Sequence, residues 1–152
     1  MNAANEVQIG GTHYRSAYQH WDWVTNTGQS YLASCVSKYL VRWRTKDGVE
    51  SLRKAAHFCD KLIECAPILI SARANLNNEW LHTETFRFIE INSIPPEEAG
   101  ICFILAQWTS RDELIIARKA ITTLININTD INDHPIDNNP DGYISPTPPT
   151  TT

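Results

Sequence analysis

The chain has 152 residues and a mass of 17.2 kDa, enough for one domain with a real core. With 42% hydrophobic and 20% charged residues it is neither disordered throughout nor built of membrane spans, and no stretch approaches the roughly 20 apolar residues that a spanning helix needs. A formal net charge of -4 excludes a generic nucleic-acid coat protein, whose affinity comes from many phosphate contacts, so any anion site has to be local.

Residues 1–8 read as a flexible N-terminus, without the basic region and apolar run of a secretion signal, and the expected location is the cytoplasm. IGGTHYRS, residues 9–16, follows as a loop. Gly10 and Gly11 open backbone geometries closed to other residues, and His13 and Tyr14 place an imidazole and a phenol on that loop. QHWDWV then begins a helix with Trp21 and Trp23, for which core packing is expected; an exposed one would offer a stacking surface to a base.

Ser30 can cap a helix whose apolar positions Leu32, Val36, Tyr39, Leu40 and Trp43 recur at steps of three and four, and which is expected to run to about Thr45. Asp47 and Glu50 have the spacing of a reciprocal capping box, which predicts a second helix with an inner face of Val49, Leu52, Ala56, Cys59 and Leu62 or Ile63. That helix is expected to end near Cys65 or restart at Pro67. The short turn between the two makes an antiparallel hairpin. Cys35, Cys59, Cys65 and Cys102 fall in no metal-binding spacing and read as reduced, small hydrophobes.

Residues 66–126 echo what precedes them. At a shift of 65 positions Trp43 falls on Trp108, Leu40 on Leu105, Asp47 on Asp112 and Arg53-Lys54-Ala55 on Arg118-Lys119-Ala120, while Trp21 and Trp23 meet Phe86 and Phe88. Pro95-Pro96-Glu97-Glu98 starts a helix, and Ser110 with Glu113 repeats the capping signature. The expected fold is therefore all-α: two tandem degenerate repeats of a helix plus helical hairpin sharing one core. Residues 127–152, rich in Asn, Asp, Pro and Thr, read as a disordered tail.

The stretch from Lys38 to Ala55 holds six basic residues (Lys38, Arg42, Arg44, Lys46, Arg53, Lys54) against two acids, Asp47 and Glu50. Lys38 and Arg42 lie one turn apart on one side of their helix, and Lys54 and His57 sit at i and i+3 on the next, so the hairpin could bring them to one groove. A guanidinium and ammonium groups suit phosphate. The echo loses this chemistry: Lys38 becomes Phe103, Arg42 becomes Gln107, Arg44 becomes Thr109 and His57 becomes Thr122.

GGTHY at 10–14, QHWDWV, KYLVRWRTKDGVESLRKA and HFCDKLIE at 57–64 resemble the small phage-encoded SaV-like proteins across about residues 9–65. The match departs at Ser51, where that family usually has Asp, a loss that matters if the acid binds magnesium in relatives; residues 66–152 lie outside its core pattern. The resemblance implies a nucleotide ligand, an oligomer and a host-cell cytoplasmic location, because one family member is a nucleotide kinase that phosphorylates deoxynucleoside monophosphates without a Walker loop. On that reading His13, Tyr14, Trp21, Lys38, Arg42, Arg44, Lys54 and His57 form the nucleotide and phosphate site, no protein metal ligand is assigned, and Mg2+ would accompany a triphosphate donor. The alternatives are a non-catalytic sponge for a nucleotide-derived defence signal and an oligomeric scaffold or interaction module, for which the consecutive Phe103, Ile104 and Leu105 offer apolar surface.

Overall fold

The computed structural model describes Asn5, residues 17–73 and residues 75–133, and among these it is all-helical, with no strand. Its helices are α1 (His20–Asn26), α2 (Tyr31–Arg42), α3 (Val49–Arg73), α4 (Asn78–Asn92), α5 (Pro96–Gln107) and α6 (Arg111–Asp133). None is long and apolar enough to cross a membrane. The tail beyond 133 lies outside the described residues, but residues 127–133 do not begin it: α6 continues through them, its Asn128 and Thr129 side chains bonding back to the carbonyls of Leu124 and Ile125, each at 2.8 Å.

Local chemistry explains most helix ends. The Ser30 hydroxyl accepts the Ala33 N–H at 3.4 Å and starts α2. Pro96 occupies the first turn of α5, where its missing N–H has no intrahelical duty. Ahead of α6 the expected capping box is formed: Ser110 Oγ accepts the Glu113 N–H at 3.4 Å, and Glu113 Oε2 accepts the N–H groups of Thr109 and Ser110 at 2.7 and 2.9 Å. Burial alone would raise the Glu113 pKa; those backbone donors bring it below the ordinary carboxylate value instead.

Other ends differ from expectation. α2 stops at Arg42, and no capping box joins Asp47 to Glu50. Asp47 adopts a left-handed φ of 63°, whereas a capping residue needs extended backbone, and its carboxylate pairs with Lys54 at 3.6 Å. Glu50 pairs with Arg53. α3 neither ends near Cys65 nor restarts at Pro67; it runs unbroken to Arg73. Its far end is held by Arg73, whose guanidinium donates to the carbonyls of Ala106 and Trp108 at 2.6 and 2.8 Å and lies over the Trp108 ring. Pro67 sits on the exposed side, while Leu62 and Ala66 carry the buried face past it.

A single buried cluster joins all of these helices. α2 packs on α3, and α4 and α6 each pack on α5; across the halves α1 packs on α4, α2 on α5 and α3 on α6. Each helix thus touches its counterpart in the sequence echo, and the bounds of α5 coincide with those of α2 at the 65-residue shift. Trp23 and Phe88, counterparts themselves, stack with ring centroids 4.4 Å apart and planes 3° from parallel. Trp23 is fully buried and donates to Thr85 Oγ1 at 3.1 Å. Beside this stack Glu84, 4% exposed, accepts from the Tyr18 hydroxyl and from Asn26 Nδ2 and locks α1 to α4.

Cys59 and Cys102 are buried, Cys35 and Cys65 half-buried, and all four are free thiols. Burial pushes the Cys59 thiol up to about 12, so it behaves as an apolar filler rather than a nucleophile. Because the Trp23 stack joins the two halves, Trp23→Ala should destabilise the fold by about 3–5 kcal/mol in equilibrium urea unfolding. An effect below 1 kcal/mol would show that the halves are held together elsewhere.

Candidate functional site

The cationic end of α2 opens onto a cleft of about 910 Å³ between α1, α2 and the turn joining α4 to α5. This volume lies within the roughly 300–1,000 Å³ typical of small-molecule sites. It is lined from α1 by Trp21 and Val24 and from α2 by Lys38, Val41 and Arg42. Trp43, Phe88 and Glu98 also line it, and Ile94 and Pro95 complete its apolar wall.

Lys38 and Arg42, one helical turn apart, share this side of α2 as the spacing requires. Lys38 is exposed into the cleft, and no carboxylate lies within ion-pair reach of it among the described residues. The Arg42 guanidinium sits 4.5 Å from the centre of the Tyr39 ring, whose electron-rich face favours a cation. Tyr39 in turn stacks on Phe58 of α3 at 5.7 Å, fixing the platform.

Trp21 and Trp23 part company. Trp23 is core, as described, whereas Trp21 is 50% exposed and forms a wall of the cleft. Its indole N–H donates to Asn5 Oδ1 at 2.7 Å while Asn5 Nδ2 donates to Asp22 at 2.8 Å, so the ring is held in place with a free face. An anchored indole suits stacking with a flat heterocycle.

The remaining expected site residues divide. Arg44 also lines the cleft, half-exposed, but it lies over the Trp43 ring at 4.4 Å and pairs with Glu98 at 2.8 Å. Lys54 is shared between Asp47 and the far reach of the Tyr39 ring, 5.9 Å away, and does not line the cleft. His57 also fails to join it: the ring is exposed, edge-on to Phe58. The groove foreseen between α2 and α3 is filled by their own packing, and it is the second half of the chain that closes the site. His13 and Tyr14 lie outside the described residues.

Two residues of the site were not singled out from sequence. His20 is half-buried, its Nε2 2.8 Å from Ser37 Oγ, with its ring edge-on to Trp23 and Phe88. Burial first, then the charges of Lys38 and Arg42, lower its pKa to about 4, so a neutral imidazole faces the cleft at neutral pH. Glu98, 1% exposed, is the second. Its Oε1 accepts from Trp43 Nε1 at 2.7 Å and from Arg44 at 2.8 Å, while Oε2 has no hydrogen-bond partner. His20 stood beside the quoted tryptophans, and Glu98 could have been flagged because its counterpart is Ala33, an acid facing a small apolar residue across the echo.

No cluster of three or more His, Cys, Asp or Glu able to hold a metal is present among the described residues. Glu98 is the one carboxylate lining the cleft among them, and one of its oxygens is already committed. These residues do not fit a protein-held magnesium ion.

The depressed pKa of His20 has a definite sign. With about 4 in the folded state against 6.5 ordinarily, the unfolded chain takes up the proton first as pH falls. The contribution is fully present above 6.5 and is lost as pH falls towards 4. Melting temperature should therefore fall more steeply across that window in the native protein than in His20→Gln, the difference in slope approaching one bound proton. Parallel curves would place His20 in a solvated, unperturbed setting.

No protein-family model, curated protein or solved structure matches the chain, and its function is read from the chemistry of this cleft.

Proposed function

We propose that the cleft binds a nucleotide and that the protein is a phage deoxynucleoside monophosphate kinase-like enzyme. The observation that carries this reading is the pairing, in one cleft of sufficient volume, of an anchored and half-exposed Trp21 with Lys38 and Arg42 of the neighbouring helix. A base stacks on the indole while the phosphates meet the two cations, and the neutral His20 offers a hydrogen-bonding group between them. The resemblance of residues 9–65 to SaV-like proteins supports the same ligand class and brings His13 and Tyr14 to it.

Phosphoryl transfer asks a protein mainly for positioning and charge neutralisation, which Lys38 and Arg42 provide. Magnesium belongs to this reading only as part of the triphosphate donor. One observation favours a second reading, sequestration without turnover: the described residues give the cleft no carboxylate pair to hold a metal or orient an acceptor.

Incubation with magnesium-ATP and each deoxynucleoside monophosphate should yield the diphosphate. Lys38→Ala and Arg42→Ala should each lower nucleotide affinity by about tenfold to a hundredfold, the value of a hydrogen bond to a charged group. Tight binding with full recovery of unchanged ligand assigns sequestration instead, and neither binding nor turnover overturns both.

Homo-oligomerisation belongs to the same proposal. Tyr31 and Ile68, 75% and 78% exposed, flank a small groove with Leu32 and Leu69 beside the mouth of the cleft. Size-exclusion chromatography with light scattering should report a multimer that Ile68→Asp dissociates; a strict monomer at high concentration leaves that surface without a partner copy.

A further inference from the structure

We propose that Glu98 reads the base, and that the nucleotide held in the cleft is a guanine nucleotide. This rests on the nucleotide reading above and adds to it the identity of the ligand's other end.

A carboxylate has about four lone-pair sites on its two oxygens. In Glu98 two donors, Trp43 Nε1 and the Arg44 guanidinium, both address Oε1, at 2.7 and 2.8 Å. Oε2 is buried and receives nothing, although the residue lines the cleft. A buried charged acceptor without a donor is destabilising, so this oxygen has capacity for donors from a ligand. It stands in the first turn of α5, where free backbone N–H groups favour negative charge.

Packing alone does not require this acid. Trp108, the counterpart of Trp43, is 1% exposed, and its indole N–H is buried with no hydrogen-bond partner. The position matching Glu98 there is Ala33. The fold therefore accommodates the same buried tryptophan without a carboxylate, and on that side Gln107 and Phe103 replace the cations as well. Carboxylate and cations occur together on one side of the molecule and are missing together from the other.

Guanine is the base that fills two vacant lone pairs. Its ring N–H and its 2-amino group are adjacent donors on one edge, and enzymes that read a base outside a duplex do so by hydrogen bonds to that edge. Adenine and cytosine offer one amino donor beside a ring nitrogen that is itself an acceptor. Uracil and thymine offer one N–H between two carbonyls. In both arrangements an acceptor of the base faces an acceptor of the protein, which a site built around buried polar groups rejects strongly. The base then lies between the Trp21 wall and the carboxylate, and the phosphate extends toward Lys38 and Arg42.

Isothermal titration calorimetry with GMP, IMP, AMP and UMP, each as its 2′-deoxynucleotide, on the native protein and on Glu98→Gln tests this. GMP should bind at least about tenfold more tightly than IMP, which lacks the amino donor, and tighter still than AMP or UMP. Glu98→Gln keeps an acceptor for Trp43 but turns the other arm into a donor; it should weaken GMP by about tenfold or more and leave UMP nearly unchanged. Equal affinity for the four nucleotides, or GMP binding untouched in Glu98→Gln, overturns the role of Glu98 while the nucleotide reading stands. Failure of every nucleotide to bind the native protein overturns that reading, and this one with it. Should Glu98→Gln not fold, as its melting temperature would reveal, the ranking of the four ligands on the native protein decides.

Discussion

Trp43 and Arg44, side by side at the end of α2, converge on one oxygen of a carboxylate from the first turn of α5, more than fifty residues away in the chain. That contact joins the two halves at the cleft, which all three residues line. Its worth lies in geometry more than in net stability, since burying a charged pair forfeits hydration about as large as the attraction gained. It also engages one of the cations of the cleft, Arg44, which lies over Trp43 and pairs with Glu98, while Lys38 and Arg42 line the cleft beside it.

Around this contact the helices meet counterpart to counterpart, and the Trp23–Phe88 stack lies between the halves. The likeness is strongest where residues are buried. Trp43 and Trp108 are both core, and so are Leu40 and Leu105. Even the half-exposed pair agrees, with Trp21 at 50% and Phe86 at 53%. It fails at the cleft, where the first half has Lys38 and Arg42 and the second has Phe103 and Gln107. The two halves thus agree in what they pack and differ in the charge they bring to the cleft.

Much of the frame was legible because it rests on local rules. Ser30, Pro96 and the Ser110–Glu113 box start helices by satisfying or dispensing with free N–H groups within one turn, and the same-side placement of Lys38 and Arg42 follows from helical pitch. The misreadings occur where local signals compete with distant ones. Asp47 has capping chemistry but takes a left-handed conformation and answers Lys54. Pro67 is a breaker by habit, yet the apolar face continues past it and Arg73 anchors the turn beyond. His57 obeyed its spacing, but the partner that forms the cleft with α2 is α1 with the α4–α5 turn, not α3. Glu98 was legible only as an acid in a first turn, since nothing near it in sequence announces a tryptophan from the other half.

The counterpart packing also shapes how this sequence can change. Each half supplies the interior of the other, so neither the stretch before Arg73 nor the stretch after Asn78 is free to drift as a unit: a buried side chain altered in one must be accommodated by its opposite. The same holds for the second-half residues at the cleft: Phe88 stacks on Trp23 and Glu98 is held by Trp43 and Arg44. Change in this chain is therefore expected to come as matched pairs across the halves more than as independent drift in either.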